Sequence, residues 1–388
     1  MTFSVHPHSP TLPLLEKKKC SSLRDLQQVH AQMIITGFIH HISSLNKLLS
    51  LSLSLSPQST SLAYASMLFN HTPHKPNTVI WNTILRGFVN RGSPELAVAG
   101  YLEMLHDPDT LPDRFTFPSL LKACAQSPSL INGRAIHAQI LKFSLESDLY
   151  AQTTLITMYS SYGDSTSART VFDQMDHTKK NEVAWTSMIT GYVKNQSPKE
   201  ALRLFTLMQQ EEGLVVDDVT LATAISACGE LKDLDYGKKL HWRIRQSRMK
   251  VCVVLGTALV DMYSKCGELE LAREVFDAIP VKDRNVVSWS AMIFGYSQNN
   301  QGSEALRLFK EMVMSSDHKP NEVTAMAALS ACTQTGDLSL VKWIHAYIDK
   351  AQLDRSVGLM NSLVDMYSKC GKIDLAFEIF NEMPKKEI

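Results

Sequence analysis

The sequence carries no surplus charge: 39 Lys and Arg face 39 Asp and Glu over 388 residues. That balance argues against gripping nucleic acid or a membrane surface by bulk attraction. No apolar run approaches the roughly 18 residues a membrane helix needs. The seven Cys form no C-x-x-C pair, which argues against a zinc ribbon, a thioredoxin-type site or a disulfide framework. No acid occurs in residues 1–15 and no Arg before Arg24. The stretch lacks the basic start and continuous apolar core of a secretory signal. It is acid-poor like an organelle transit peptide but Arg-free, and residues 1–6 are read as a leader. What the chain does have is apolar mass. With 44% hydrophobic and 20% charged residues it can bury a large core, and wholesale disorder is excluded.

Self-comparison reveals a period of 104 residues. Trp81, Trp185 and Trp289 share it, as do Cys124, Cys228 and Cys332, His137, His241 and His345, and Tyr159, Tyr263 and Tyr367. Cys266 and Cys370 keep the same step. Each block divides into units of 36, 35 and 33 residues, so that two or three globular domains give way to about eleven units. Their bounds are 7–41, 42–77, 78–113, 114–148, 149–181, 182–217, 218–252, 253–285, 286–321, 322–356 and 357–388.

Within a unit the spacing is helical. Trp185, Met188, Ile189 and Tyr192 fall on one face, and so do Ala201, Leu204, Phe205 and Met208. Between them, Ser197 is placed to cap the second helix and Pro198 suits its first turn. Gly213, and Pro320 in the next copy, are expected to break that helix. The run Leu48 to Leu55 alternates Leu and Ser in strand fashion but falls where the repeat demands helix and loop, in a unit carrying an insertion. A hairpin of this size cannot bury its faces alone, so the units must stack. The expected fold is an all-α, right-handed superhelical solenoid of helical hairpins, with first helices inside and second helices outside.

These units resemble pentatricopeptide repeats of the plant PLS subfamily. The opening W-[NTS]-x-[IM]-[IL]-x-G-[FY] stands at Trp81, Trp185 and Trp289. The long unit shows its A-C at 123–124, 227–228 and 331–332, and the short unit L-V-D-M-Y-S-K-C-G at 259–267 and 363–371. In that reading the units run L, S, P, L, S, P, L, S, P, L, S from residue 7 to 388.

The resemblance implies a modular reader of single-stranded RNA, one base per repeat, with the base chosen by the fifth and last places of P and S motifs. Those pairs are Asn46 with Asn77, Asn82 with Asp113, Thr153 with Asn181, Thr186 with Asp217, Thr257 with Asn285, Ser290 with Asn321, and Asn361 with Glu387. The implied target is Y-U-n-A-G-n-A-A-n-n. The long units carry Pro118/Asp148, Ala222/Cys252 and Met326/Ser356, which the pairing leaves mute. The resemblance also casts Val79, Tyr150, Val183, Val254 and Val287 as wedges between bases, with inter-repeat core as the competing role. It casts Lys194, Lys265 and Lys369 as phosphate contacts, with solvated helix ends as the competitor.

Other chemistry is weighed and set aside. Each Cys-x12-His pair (124/137, 228/241, 332/345) supplies two ligands, too few for a four-ligand zinc site, and buried Cys with a packing His is preferred. The H-x-E and P-C-x-x-C of a zinc deaminase are absent, as are a phosphate loop and a nucleophilic triad. The expectation is a non-enzyme with no cofactor, metal, membrane or small-molecule substrate. A basic stretch from Lys238 to Lys250 on an outer helix is read as a solvated face, with an acidic partner or RNA flank as the sharper possibility. The leading functional expectation is an organellar RNA-binding adaptor, in mitochondrion or chloroplast, for C-to-U editing (with a deaminase in trans) or transcript processing. The competing class is a helical scaffold for a protein partner. Phe377, Ile379 and Phe380 on the last helix suggest either a fragment of a longer editing factor or an end that pairs with another protein.

Overall fold

The computed structural model describes residues 22–55, 58–71, 77–127, 129–246, 252–314 and 318–383. The leader and residues 7–21, where the repeat pattern expects a first helix, lie outside them. The described residues hold 21 α-helices and no strand. They fall in two compact bodies, Met1–Asn195 and Gln196–Ile388. The first contains α1 (Leu23–Ile35), α2 (Ile42–Ser54), α3 (Gln58–Asn70), α4 (Thr78–Asn90), α5 (Pro94–His106), α6 (Thr116–Gln126), α7 (Leu130–Lys142), α8 (Leu149–Ser161), α9 (Ser165–Gln174) and α10 (Glu182–Lys194). The second contains α11 (Pro198–Met208), α12 (Asp218–Leu231), α13 (Leu234–Gln246), α14 (Val253–Lys265), α15 (Leu269–Ala278), α16 (Val286–Gln298), α17 (Gly302–Met314), α18 (Glu322–Thr335), α19 (Leu338–Lys350), α20 (Val357–Lys369) and α21 (Ile373–Glu382).

In each body the helices form antiparallel-type hairpins stacked in chain order, an all-α solenoid architecture. First helices pack side by side as one row, α2, α4, α6, α8 and α10 in the first body and α12, α14, α16, α18 and α20 in the second. Second helices fill the gaps behind: α3, α5, α7 and α9 in the first body and α13, α15, α17 and α19 in the second each touch their own first helix and the next one.

The 104-residue period has a packing cause. Three kinds of junction alternate, and each writes its own rare residues. Where a short motif (33 residues, or 36 in 42–77 with its insertion) meets the following 36-residue motif, a Phe meets a Trp edge-on: Phe69 with Trp81 at 4.6 Å, Phe172 with Trp185 at 5.0 Å, Phe276 with Trp289 at 5.2 Å between ring centres. Such pairs add roughly 0.5–1.5 kcal/mol beyond area burial. Where a 35-residue motif meets a 33-residue one, a His ring nitrogen bonds a Tyr hydroxyl: His137 to Tyr159 and His241 to Tyr263 at 2.8 Å, His345 to Tyr367 at 3.0 Å. Cys124, Cys228 and Cys332 are wholly buried in the 35-residue motifs.

The motif glycine is a contact residue. A Cβ on Gly191 would stand 2.2 Å from Ser160 Oγ, and one on Gly295 would stand 2.2 Å from Ser264 Oγ. Only glycine lets the first helix of the 36-residue motif lie this close to its predecessor.

The Leu48–Leu55 run is helical through Ser54. Leu48 and Leu49 are buried, while Ser52 and Ser54 donate back to the carbonyls of Leu49 and Leu51 at 2.7 Å. The serines thus satisfy themselves within the helix. Arg91 ties its end, donating to the carbonyls of Leu53 and Leu55 at 2.6 Å. Ser197 corrects one expectation. It precedes Pro198 at the start of α11, but at ψ 54° its side chain makes no cap bond, because the extended backbone that aims a capping hydroxyl is missing. The second helices also stop before their expected breakers: α11 ends at Met208 and α17 at Met314.

Candidate nucleic-acid interface

The last place of a motif is the N-cap of the next first helix, except at Asp113, which lies two residues before Phe115, the N-cap of α6. Asn77 accepts from the Ile80 amide, Asp113 from Thr116 and Asn181 from Ala184, each at 3.1 Å. Asp217 accepts from Thr220 at 2.8 Å, and Asn285 and Asn321 accept from Ser288 and Thr324 at 3.0 Å. Asp148 and Ser356 of the 35-residue motifs do the same. A small polar residue here therefore has a structural reason that sequence reasoning missed. The spacing Asn285–Ser288 and Asn321–Thr324, which closes two capping boxes, was the available signal.

On the same helices the fifth place is half-buried at Asn46, Asn82, Thr153, Thr186 and Thr257, exposed at Asn361 and buried at Ser290. Thr153, Thr186, Thr257 and Ser290 each donate to the carbonyl four residues back, at 2.7–2.8 Å. The structure joins some of the expected pairs directly. Asn82 Nδ2 donates to Asp113 Oδ1 at 2.9 Å. Thr324 Oγ1 bridges the next such pair, 2.7 Å from Ser290 Oγ and 2.8 Å from Asn321 Oδ1. Thr153 and Asn181 line one groove. Asn46 buries its Oδ1 without a partner. Among the described contacts no bond joins Thr257 to Asn285, Thr186 and Asp217 belong to different bodies, and Asn361 is exposed while Glu387 lies outside the described residues.

The wedge candidates are not core. Val79, Val183, Val254 and Val287 are at least half exposed, and Tyr150 reaches 71%. The 35-residue motifs present Phe115, Val219 and Val323 in the same register, also exposed, a set that attention to the other motifs alone overlooked. These residues form an uncovered apolar rail along each row of first helices. In the first body a groove of about 570 Å³ opens between α4, α6, α8 and α10, lined by Thr153 and Asn181, by the rail residues Tyr150 and Val183, and by Arg86 and Lys122.

The three lysines differ. Lys194 is exposed at the end of α10. Lys265 is held at 2.7 Å by both Asp261 and Glu230, and Lys369 at 2.7 Å by Asp365. A phosphate would have to compete with those carboxylates. In the basic stretch, Lys238 pairs with Glu268 at 3.2 Å, Arg243 donates to Gln209 at 3.2 Å and Trp242 is exposed. Residues 247–250 lie outside the described part.

Burial sets the remaining chemistry. It pushes the thiol of Cys124 up to about 11 and those of Cys228 and Cys332 up to about 12. Burial, with Arg245 nearby, pushes His241 down to about 4. Among the described residues no three His, Cys, Asp or Glu side chains converge as a metal site would require, and no helix is long and apolar enough to cross a membrane.

A stack of helical hairpins with an exposed apolar rail along its first helices defines a helical-repeat protein. The PPR repeat family matches residues 76–126, 180–230 and 284–334, and a PPR repeat matches 153–177, 257–283 and 359–388. A mitochondrial pentatricopeptide repeat-containing protein of Arabidopsis thaliana is 35% identical over 98% of this chain and 59% of its own length. A chloroplastic one from the same plant is 36% identical over 99% of this chain and 55% of its own, and a third is 34% identical over 98% and 67%. The chain belongs to the pentatricopeptide repeat family. It spans about half to two thirds of the length of these relatives. The same fold occurs in the pentatricopeptide repeat protein PPR10 in complex with an 18-nt psaJ RNA element, with TM-score 0.69 at 16% identity over 95% of this chain and 58% of that one. The structure of PPR10 from maize matches with TM-score 0.63 over 96% and 57%.

Proposed function

We propose that this chain is a sequence-specific single-stranded RNA-binding protein of an organelle, mitochondrion or chloroplast. It serves as a specificity adaptor for C-to-U editing, with a deaminase in trans, or for transcript processing. The observation that carries the reading is the groove of the first body, lined by the base-selecting candidates Thr153 and Asn181 and by the exposed Tyr150 and Val183. A base entering it would stack on the rail and offer its edge to the polar pair, as unpaired bases are read elsewhere. The organelle-bound relatives and the RNA-bound fold neighbour support the same reading. By the pairing rules of PLS repeats the target is Y-U-n-A-G-n-A-A-n-n.

Recovery of crosslinked RNA from the native organelle tests the role. Enrichment of this sequence just upstream of an edited cytidine supports the editing adaptor. Enrichment at transcript ends or introns supports processing. Recovery of no RNA at all, with a protein captured instead, returns the chain to the scaffold class.

A further inference from the structure

The groove between α4, α6, α8 and α10 differs from its counterparts in charge. With each motif counted from its first residue, the ninth place holds Arg86, Lys122 and Thr157 in the first block, Thr190, Ser226 and Asp261 in the second, and Phe294, Ser330 and Asp365 in the third. The thirteenth place holds Asn90, Gln126 and Ser161, then Lys194, Glu230 and Lys265, then Gln298, Gln334 and Lys369. Over these two places the first block has two cations and no acid, whereas in the other blocks acids equal cations. Two of the later lysines, Lys265 and Lys369, spend their charge on the Asp one turn earlier.

The first block thus lacks the helix-end lysine and carries its cations one turn nearer the groove. Both Arg86 and Lys122 line the groove that holds Thr153 and Asn181, and no carboxylate lines it. Arg86 has no ion-pair partner among the described residues, and Lys122 Nζ donates only to Asn90 Oδ1, at 3.2 Å. Asn90 lies one turn beyond Arg86 on α4, so this bond holds Lys122 beside the face that Arg86 occupies.

We propose that Arg86 and Lys122 form a phosphate clamp that holds the RNA backbone at the nucleotide read by Thr153 and Asn181. The guanidinium offers a two-pronged donor set to phosphodiester oxygens and the ammonium a point charge. The inference rests on the RNA-binding reading above. It also locates the chain's electrostatic grip in one block of an otherwise neutral array.

The test is the salt dependence of single-stranded RNA binding by the full chain carrying Arg86→Gln and Lys122→Gln. Each lost phosphate contact removes about 0.7 from the log–log slope, so the double variant should be shallower by about 1.4. Between 50 and 200 mM salt that is a roughly sevenfold smaller loss of affinity. Preference for A at the nucleotide read by Thr153 and Asn181 should persist. The charge-keeping pair Arg86→Lys and Lys122→Arg should retain the steep slope, and Lys199→Gln with Lys342→Gln, exposed on second helices, should change nothing. A wild-type slope in the Gln double variant, with RNA binding intact, overturns the clamp alone. Failure of the wild-type chain to bind any single-stranded RNA overturns both the clamp and the reading beneath it.

Discussion

Asn181 is asked to do two jobs, and substitutions separate them. Its side chain accepts from the Ala184 amide at 3.1 Å, capping α10, and it also lines the groove beside Thr153. Asn181→Ala removes the only side-chain cap of that helix, which costs about 1 kcal/mol. For a cooperative body of this size the melting temperature should fall by about 2–4 °C. Asn181→Asp keeps an equivalent acceptor and should unfold within a few tenths of a kcal/mol of wild type. RNA binding should split the variants differently. Asp beside Thr153 should turn the preference at the fourth base of the target from A to G, and Ala should weaken the preference altogether. Thermal unfolding by circular dichroism and a titration of four 10-mers differing at that base read the two effects. If Asn181→Ala melts with wild type, or Asn181→Asp loses as much stability as Ala, the cap argument is wrong. If Asp leaves the base preference at A, the reading argument is wrong while the cap stands.

Two further predictions concern the junctions. Gly295→Ala should destabilise by about 1–3 kcal/mol because its Cβ would stand 2.2 Å from Ser264 Oγ, and adding Ser264→Gly should restore much of the loss in urea unfolding. His241, ordinarily near 6.5 but held at about 4, contributes stability that is present above pH 6.5 and is lost as the pH falls toward 4. The gap is worth roughly 3 kcal/mol, so His241→Gln should flatten the fall in stability between pH 6.5 and 4 relative to wild type, and parallel curves would refute the assignment.

The hairpins were legible in the sequence because their junctions spend rare residues: Trp185 on Phe172, Tyr263 on His241, Cys228 in the core. Each junction recurs once per block, so a period in rare letters is the packing scheme read directly. The candidate places stood out in the sequence, but their part in starting helices did not. Small polar residues at motif ends looked like base readers because packing would favour Ala or Leu there. The structure shows that most of those places start helices, where an unsatisfied amide favours Asn, Asp or Ser whatever the ligand, although Cys252 and His41 start theirs without a side-chain cap. The proposal of base reading therefore leans on the exposed rail and the groove, features of burial that a one-dimensional pattern does not express. The lysines illustrate the same limit. Asp261 lies one turn from Lys265 and was visible, but Glu230 reaches it from another motif through the stack. Ser197 was misjudged because a cap depends on backbone angles as well as residue type.

The central claim is that the rows of first helices read bases in order. The most direct measurement is the equilibrium affinity of the purified chain for Y-U-n-A-G-n-A-A-n-n against a scrambled 10-mer of the same composition, at one salt concentration. The account predicts distinctly tighter binding of the ordered sequence, abolished when the A and G read by Thr153/Asn181 and Thr186/Asp217 are exchanged. Equal affinity for both RNAs would contradict it.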